Sequence, residues 1–337
     1  MQKKLSEISS FEVILCLSVV MIHILSESIA AYAKGSILSI LSFSISRMLT
    51  FVVPAFMISA GIKFANKFEH GSFNYFSFLK KRITKIYLPY IVFSIIYYLY
   101  FVFYRNYFDF SFIKLGNYLL YGSIAAPFYF IALIMQFYIL SPIIMIFYRL
   151  LPSNVGIFFA VIINIASMYF LKGLRYSDRI FTSYFLYWTI GCYIGMDFRT
   201  SLSRLTRFKK PLTILGISLT IIYVALSYIE FCGFFESFLI EILKVAFCIS
   251  ASLMFLVLMP KSVGFAAEQI APVTFYIYLI HCLIIFEAQH LLTNWGIENI
   301  PLRFFIVFFA TYIISLVISV VYLKTKKSIH HSRRYRL

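Results

Sequence analysis

Acidic and imidazole side chains are costly inside an apolar run, and one such run carries both kinds. Segment 11–31 sets Glu12, Cys16, His23, Ser26 and Glu27 among valine, leucine and isoleucine. At 100° per residue, Glu12 lies about 20° from His23, Glu27 about 40° away on the other side, and Cys16 about 20° away. One face of an otherwise apolar helix is therefore polar, and it belongs inside the protein. The chemistry open to such a face is proton transfer by the histidine. The competing reading is a hydrogen-bonded stripe that packs helices together. Carboxylates on the same face as the histidine favour chemistry.

Other polar residues sit at a similar depth. His23 stands 12 residues into its run, about 18 Å along a helix. Arg47 stands 10 residues from the outer end of the run 37–60, and His281 stands 9 residues into the run 272–292. In a hydrocarbon layer of about 30 Å all three fall near the midplane, which suggests one shared cavity. His281 shares its helical face with Tyr278 and Thr274. Gln136, inside the run 127–148, either binds substrate or bridges helices. Glu241 and Lys244 are three apart on one helix and neutralise each other.

The elements that position these groups follow from the apolar runs. Ten are long enough to cross a bilayer as helices: 11–31, 37–60, 86–104, 127–148, 155–171, 181–197, 211–229, 238–259, 272–292 and 302–323. They use most of the 337 residues, so the fold expected is an all-α polytopic membrane protein, a single domain over 1–337. With 62% apolar and 13% charged residues, an ordinary cytosolic enzyme, a disordered chain and a nucleic-acid-binding domain are excluded. The formal charge of +17 is mostly topology. If the N-terminus is cytoplasmic, the inner segments carry 21 Lys and Arg and the outer segments 7. That bias places both termini in the cytoplasm. The five cysteines, at unrelated spacings, indicate no disulfide framework and no metal site.

Several segments then resemble one family. Val19-Val20-Met21-Ile22-His23 looks like an apolar run ending in histidine on a first span. Ser46-Arg47, followed by Val53-Pro54-Ala55-Phe56-Met57-Ile58-Ser59-Ala60-Gly61, resembles a second-span pattern. Phe78-Leu79-Lys80-Lys81-Arg82-Ile83-Thr84-Lys85-Ile86-Tyr87-Leu88-Pro89-Tyr90 resembles a basic entry to a third span. Gln136-Phe137-Tyr138-Ile139-Leu140-Ser141-Pro142 and Phe275-Tyr276-Ile277-Tyr278-Leu279-Ile280-His281 look like a fourth and a ninth. In this order on ten spans they are similar to the membrane acyltransferase-3 family, bacterial enzymes that acylate envelope glycans. The chain departs from the family where Phe11-Glu12 replaces a Leu-Arg pair.

The resemblance implies a multi-pass enzyme of the bacterial cell membrane. It implies O-acetylation or a related acylation of envelope or biofilm polysaccharide. The acyl group would pass from cytoplasmic acetyl-CoA or succinyl-CoA, a co-substrate with no bound cofactor, to a hydroxyl of an extracytoplasmic or lipid-linked sugar. A polysaccharide synthase is a further implied partner. On that reading His23 is the general base, Glu27 holds its tautomer as the acid of a Ser-His-Asp triad does, and Arg47 stabilises the oxyanion. Arg82, Lys85, Lys81 and Lys80 would meet the CoA phosphates. His281, Tyr278, Gln136 and Glu12 would line the donor and acceptor cavity. The alternative is an exporter or flippase of a cell-surface polysaccharide.

Overall fold

A computed structural model describes residues 6–69, 73–235, 237–259 and 270–334. Lys3, Lys4, Lys261 and Arg336, four of the charges that set the expected orientation, lie outside the described residues. The described residues are helical and contain no strand. They divide into two compact units. The first comprises 1–50, 221–237 and 259–337, and the second comprises 51–220 and 238–258.

Nine helical stretches among the described residues are long and apolar enough to cross a membrane. They match nine of the ten expected spans, and the chain is a multi-pass membrane protein. The tenth, expected at 181–197, is shorter. A turn over Phe181–Tyr184 leads into the helix Phe185–Met196, only 12 residues long. Segments of that length are usually shielded by protein rather than by lipid. Here another helix lies against it. Gly191 and Gly195, one turn apart, press on the backbone carbonyls of Ile58 and Ile62, and a Cβ on Gly61 would lie 2.6 Å from the Trp188 carbonyl. Small residues at this spacing let two helix backbones approach closely.

In the first unit, α1 (Ser6–Ala31) and α2 (Ile37–Met48) form a hairpin. Ser36 caps α2 by accepting from the Ser39 amide, which satisfies one of its free N–H groups. Two further helices, Thr274–Asn294 and Ile300–Arg334, form a second hairpin packed on α1. The α1 contacts run in register with Thr274–Asn294: Cys16 meets Thr274, His23 meets His281 and Glu27 meets Gln289. Both partners advance together, so the two helices are parallel.

In the second unit, Val52–Glu69 packs parallel to Phe185–Met196, since Ile58 faces Gly191 and Ile62 faces Gly195. Around them an aromatic core joins Phe64, Phe78, Phe137, Tyr138 and Trp188. Trp188 is fully buried there.

Parallel pairing constrains the count of crossings. Two parallel spans must have an odd number of crossings between them. Between the first span and Thr274–Asn294 stand six full-length spans and the short helix Phe185–Met196. If each of the six crosses, parity assigns the short helix a seventh crossing. Between Val52–Glu69 and Phe185–Met196 stand three spans, again odd.

Two prolines interrupt otherwise continuous helices. Pro54 lacks the N–H that would reach the Thr50 carbonyl, and the helix tightens to a single 3-10 turn over Leu49–Phe51 just before it. Pro89 has the same defect toward Lys85, and the helix widens to a π turn over Ile83–Tyr87, with the Leu88 amide reaching back to Ile83. π turns inside longer helices are rare and recur at functional sites. This one follows the basic run Lys80-Lys81-Arg82.

Candidate active site

The first unit brings His23 and His281 face to face. Their ring centroids are 5.4 Å apart and tilted by 40°. His281 is buried and His23 half-buried. The two residues lie at the same level because α1 and Thr274–Asn294 are parallel and in register. The His281 ring is oriented by its own backbone: Nδ1 lies 3.2 Å from the Ile277 carbonyl oxygen. A carbonyl only accepts, so Nδ1 carries the proton and Nε2 of the neutral ring is left as an acceptor. Tyr278 packs against the same ring, with centroids 6.1 Å apart.

Nε2 of His281 faces one of the five cysteines, in which the sequence showed neither a disulfide framework nor a metal site. Cys282 Sγ is 3.5 Å from it, inside the range of a thiol hydrogen bond. Donor atoms of His23, His281 and Cys282 all lie within 4.8 Å of one another, a grouping that also has the donor types of a transition-metal site. Its signal in the sequence was adjacency: Cys282 follows directly on the one histidine of that span's interior face.

Glu27 is not turned to His23. Its carboxylate accepts from Arg303 Nε at 2.7 Å and from Gln289 at 3.2 Å. Arg303, counted among the outer charges, is buried. It also donates to the carbonyls of Ile297 and Gln289 and to the Thr293 hydroxyl. No hydrogen bond joins the His23 ring to Glu27 among the described residues. The polar face of α1 thus divides by depth, with His23 meeting a second histidine and Glu27 tying three helices together. Glu12 is half-buried on the same helix, nearer its start.

Arg47, at the end of α2, is half-buried. Its guanidinium lies 4.8 Å from the Phe43 ring centroid, and no carboxylate pairs with it among the described residues. A cation held by an aromatic face keeps its N–H groups for another acceptor.

The second unit gathers the basic run. Arg82 lies over two rings, 5.0 Å from Phe78 and 4.8 Å from Tyr138. Lys67 lies 5.2 Å from the same Phe78 ring, close enough to Arg82, Lys81 and Lys85 to be repelled by all three. Lys80, Lys81 and Lys85 are exposed. Arg82 and Lys67 beside one ring, with Lys81 and Lys85 near enough to repel Lys67, gather like charge that favours an anionic ligand. Lys67 was counted only as an inner charge in the sequence; its place beside Phe78 depends on folding 67 back against 78.

Gln136 resolves to the bridging role. Its amide nitrogen donates to the Arg179 carbonyl at 2.7 Å, and its oxygen accepts from the Phe181 amide at 3.1 Å. Both ends of the side chain hold the loop that enters the short helix.

Residues 6–320 match the acyltransferase-3 family, described as an acyltransferase domain. Similar proteins named probable poly-beta-1,6-N-acetyl-D-glucosamine export protein occur in Staphylococcus aureus strains MSSA476, MW2 and N315. Each is 24% identical over 311 residues, covering 85% of this chain and 83% of the relative. No solved structure matches the chain.

Proposed function

The chain belongs to the acyltransferase-3 family, and from that premise we propose that it moves an acyl group from cytoplasmic acyl-CoA to a hydroxyl of an extracytoplasmic or lipid-linked glycan. The observation that carries this reading is the His23–His281 pair, held between two helices long and apolar enough to cross a membrane. A sugar hydroxyl attacking a thioester must lose its proton as the bond forms. A neutral imidazole takes that proton, and His23, the less buried ring of the two, is the one an incoming sugar reaches. Arg47 offers N–H donors to the oxyanion of the tetrahedral intermediate. Arg82 and Lys67 beside Phe78, with Lys80, Lys81 and Lys85 of the basic run, take the phosphates of the donor, which an arginine fork does well.

Donor and acceptor stand on opposite faces in this scheme. An even number of crossings supports both termini on one face, and the positive-inside bias supports the cytoplasm as that face. The printed names of the relatives suggest poly-beta-1,6-N-acetyl-D-glucosamine, or a polymer like it, as acceptor. A polysaccharide synthase would then supply the polymer. Acetyl and succinyl are the donor groups to test first.

The same names favour a second reading, an exporter of that polymer. One experiment separates the two. Surface glycan from a deletion strain, complemented with wild type or His23→Ala, is analysed by mass spectrometry. Loss of O-acyl groups with polymer still reaching the surface supports acyl transfer. Retained polymer that is still acylated supports export.

A further inference from the structure

We infer that Cys282 is a second catalytic residue, a nucleophile that carries the acyl group as a thioester between donor and glycan. The inference rests on the acyl-transfer reading above and adds a covalent step to it. Three observations meet at this thiol. Cys282 is buried, and its Sγ lies 3.5 Å from Nε2 of His281. The Ile277 carbonyl holds the opposite ring nitrogen as the donor, so Nε2 presents a lone pair to the thiol. His23, the second imidazole, stands with its ring nitrogen within 4.8 Å of both groups. Nucleophile, base and a third group that orients the base form the arrangement that activates a weak nucleophile.

The steps balance with two histidines. In the first half-reaction the thiol proton passes to His281 Nε2 as Cys282 Sγ bonds to the acyl carbonyl carbon. The bond from that carbon to the CoA sulfur breaks, and the CoA thiolate takes the proton from His281. In the second, the sugar hydroxyl proton passes to His23 as its oxygen bonds to the same carbon. The bond to Cys282 Sγ breaks, and the thiolate regains a proton from His23. The sum is acyl-CoA plus sugar hydroxyl giving acyl sugar plus free CoA. One thioester replaces another in the first half, so that step is close to neutral in energy. The relay also removes the need for donor and acceptor to be bound at the same time, and it gives each of the two adjacent imidazoles its own substrate.

The test uses purified full-length protein in lipid nanodiscs, first assayed with acetyl-CoA, succinyl-CoA and the soluble glycan. The donor that acylates the glycan is then supplied in radiolabelled form without glycan, and the reaction is quenched in acid. The relay predicts label on the protein that neutral hydroxylamine releases. Cys282→Ala removes it and Cys16→Ala does not. Cys282→Ser, nearly the same size, lowers glycan acylation by about 100-fold or more. His281→Ala slows labelling, whereas His23→Ala accumulates label and fails to discharge it to glycan. Glycan acylation by wild type without protein label, and with Cys282→Ala within a few-fold of wild type, overturns the relay and leaves acyl transfer standing. Failure of every donor to acylate glycan counts against acyl transfer itself and removes the relay with it. One equivalent of zinc that survives chelation and is lost in Cys282→Ala also overturns it, because the thiol is then a ligand.

Discussion

The carboxylate of Glu27 and the guanidinium of Arg303 meet across 276 residues, with Arg303 Nε 2.7 Å from the carboxylate oxygen. Arg303 is buried and Glu27 partly exposed, so removing Glu27 strands a charge where water barely reaches, and removing Arg303 leaves one that water reaches in part. Arg303→Ala is expected to destabilise the protein toward the lower end of roughly 3–5 kcal/mol. Glu27→Gln keeps an acceptor for Arg303 and costs less. Thermal midpoints in detergent measure both. A Glu27→Gln variant with an unchanged midpoint and no acyl transfer would return Glu27 to the catalytic machinery.

The basic cluster makes a prediction about donor binding. Arg82→Ala and Lys67→Ala should each raise the apparent Kd for acyl-CoA several-fold, and Lys80→Ala less, because Lys80 is exposed and lies over no ring. The effect should shrink as salt rises from about 0.05 to 0.5 M, where charge attraction is screened. Ligand-induced thermal shift with CoA and with dephospho-CoA reads it. Equal shifts for the two ligands would show that the cluster does not hold the ribose phosphate.

Glycine packing gives a paired prediction. Gly191→Val and Gly195→Val drive a side chain into the carbonyls of Ile58 and Ile62, and folded yield should fall steeply. Gly116→Ala is the control. Nothing lies within 4 Å of the added methyl, and the position is inside the helix Phe112–Tyr121. Alanine there should stabilise by about 0.5–1 kcal/mol. Size-exclusion profiles and thermal midpoints compare the three.

The count of crossings is testable by labelling. Single cysteines replace Arg175 and Ser201 in a cysteine-free background, on either side of the short helix. If that helix completes a crossing, an impermeant maleimide added to intact cells labels the first and not the second. Equal labelling would mean that Phe185–Met196 turns back within the membrane.

What the sequence made legible follows from how local each signal is. Nine spans could be read because a bilayer demands about 20 apolar residues whatever the neighbours are. The polar face of α1 could be read because helical periodicity is local. The partners on that face are not local. Glu27 points at Arg303 and not at His23, and no periodicity carries that information. Cys282 was passed over because a cysteine in an apolar run resembles any small apolar residue. Only the fixed tautomer of His281 distinguishes it. The short helix was expected as a full span because its composition is that of one. The spacing of Gly191 and Gly195 was the available sign that another backbone, and not lipid, lies against it.

That helix also bears on how the protein is made. The surface it packs against, on Val52–Glu69, is synthesised more than a hundred residues earlier, with three spans inserted in between. Until Gly191 and Gly195 arrive, the groove at Gly61 has no backbone to fill it. A segment of 12 helical residues is a weak candidate for independent release into lipid, whereas docking on a waiting groove gives it a protein surface at once. Membrane-inserted chains truncated just before residue 185 should therefore be the species that quality-control proteases and membrane chaperones engage, and chains truncated beyond 197 should engage them less.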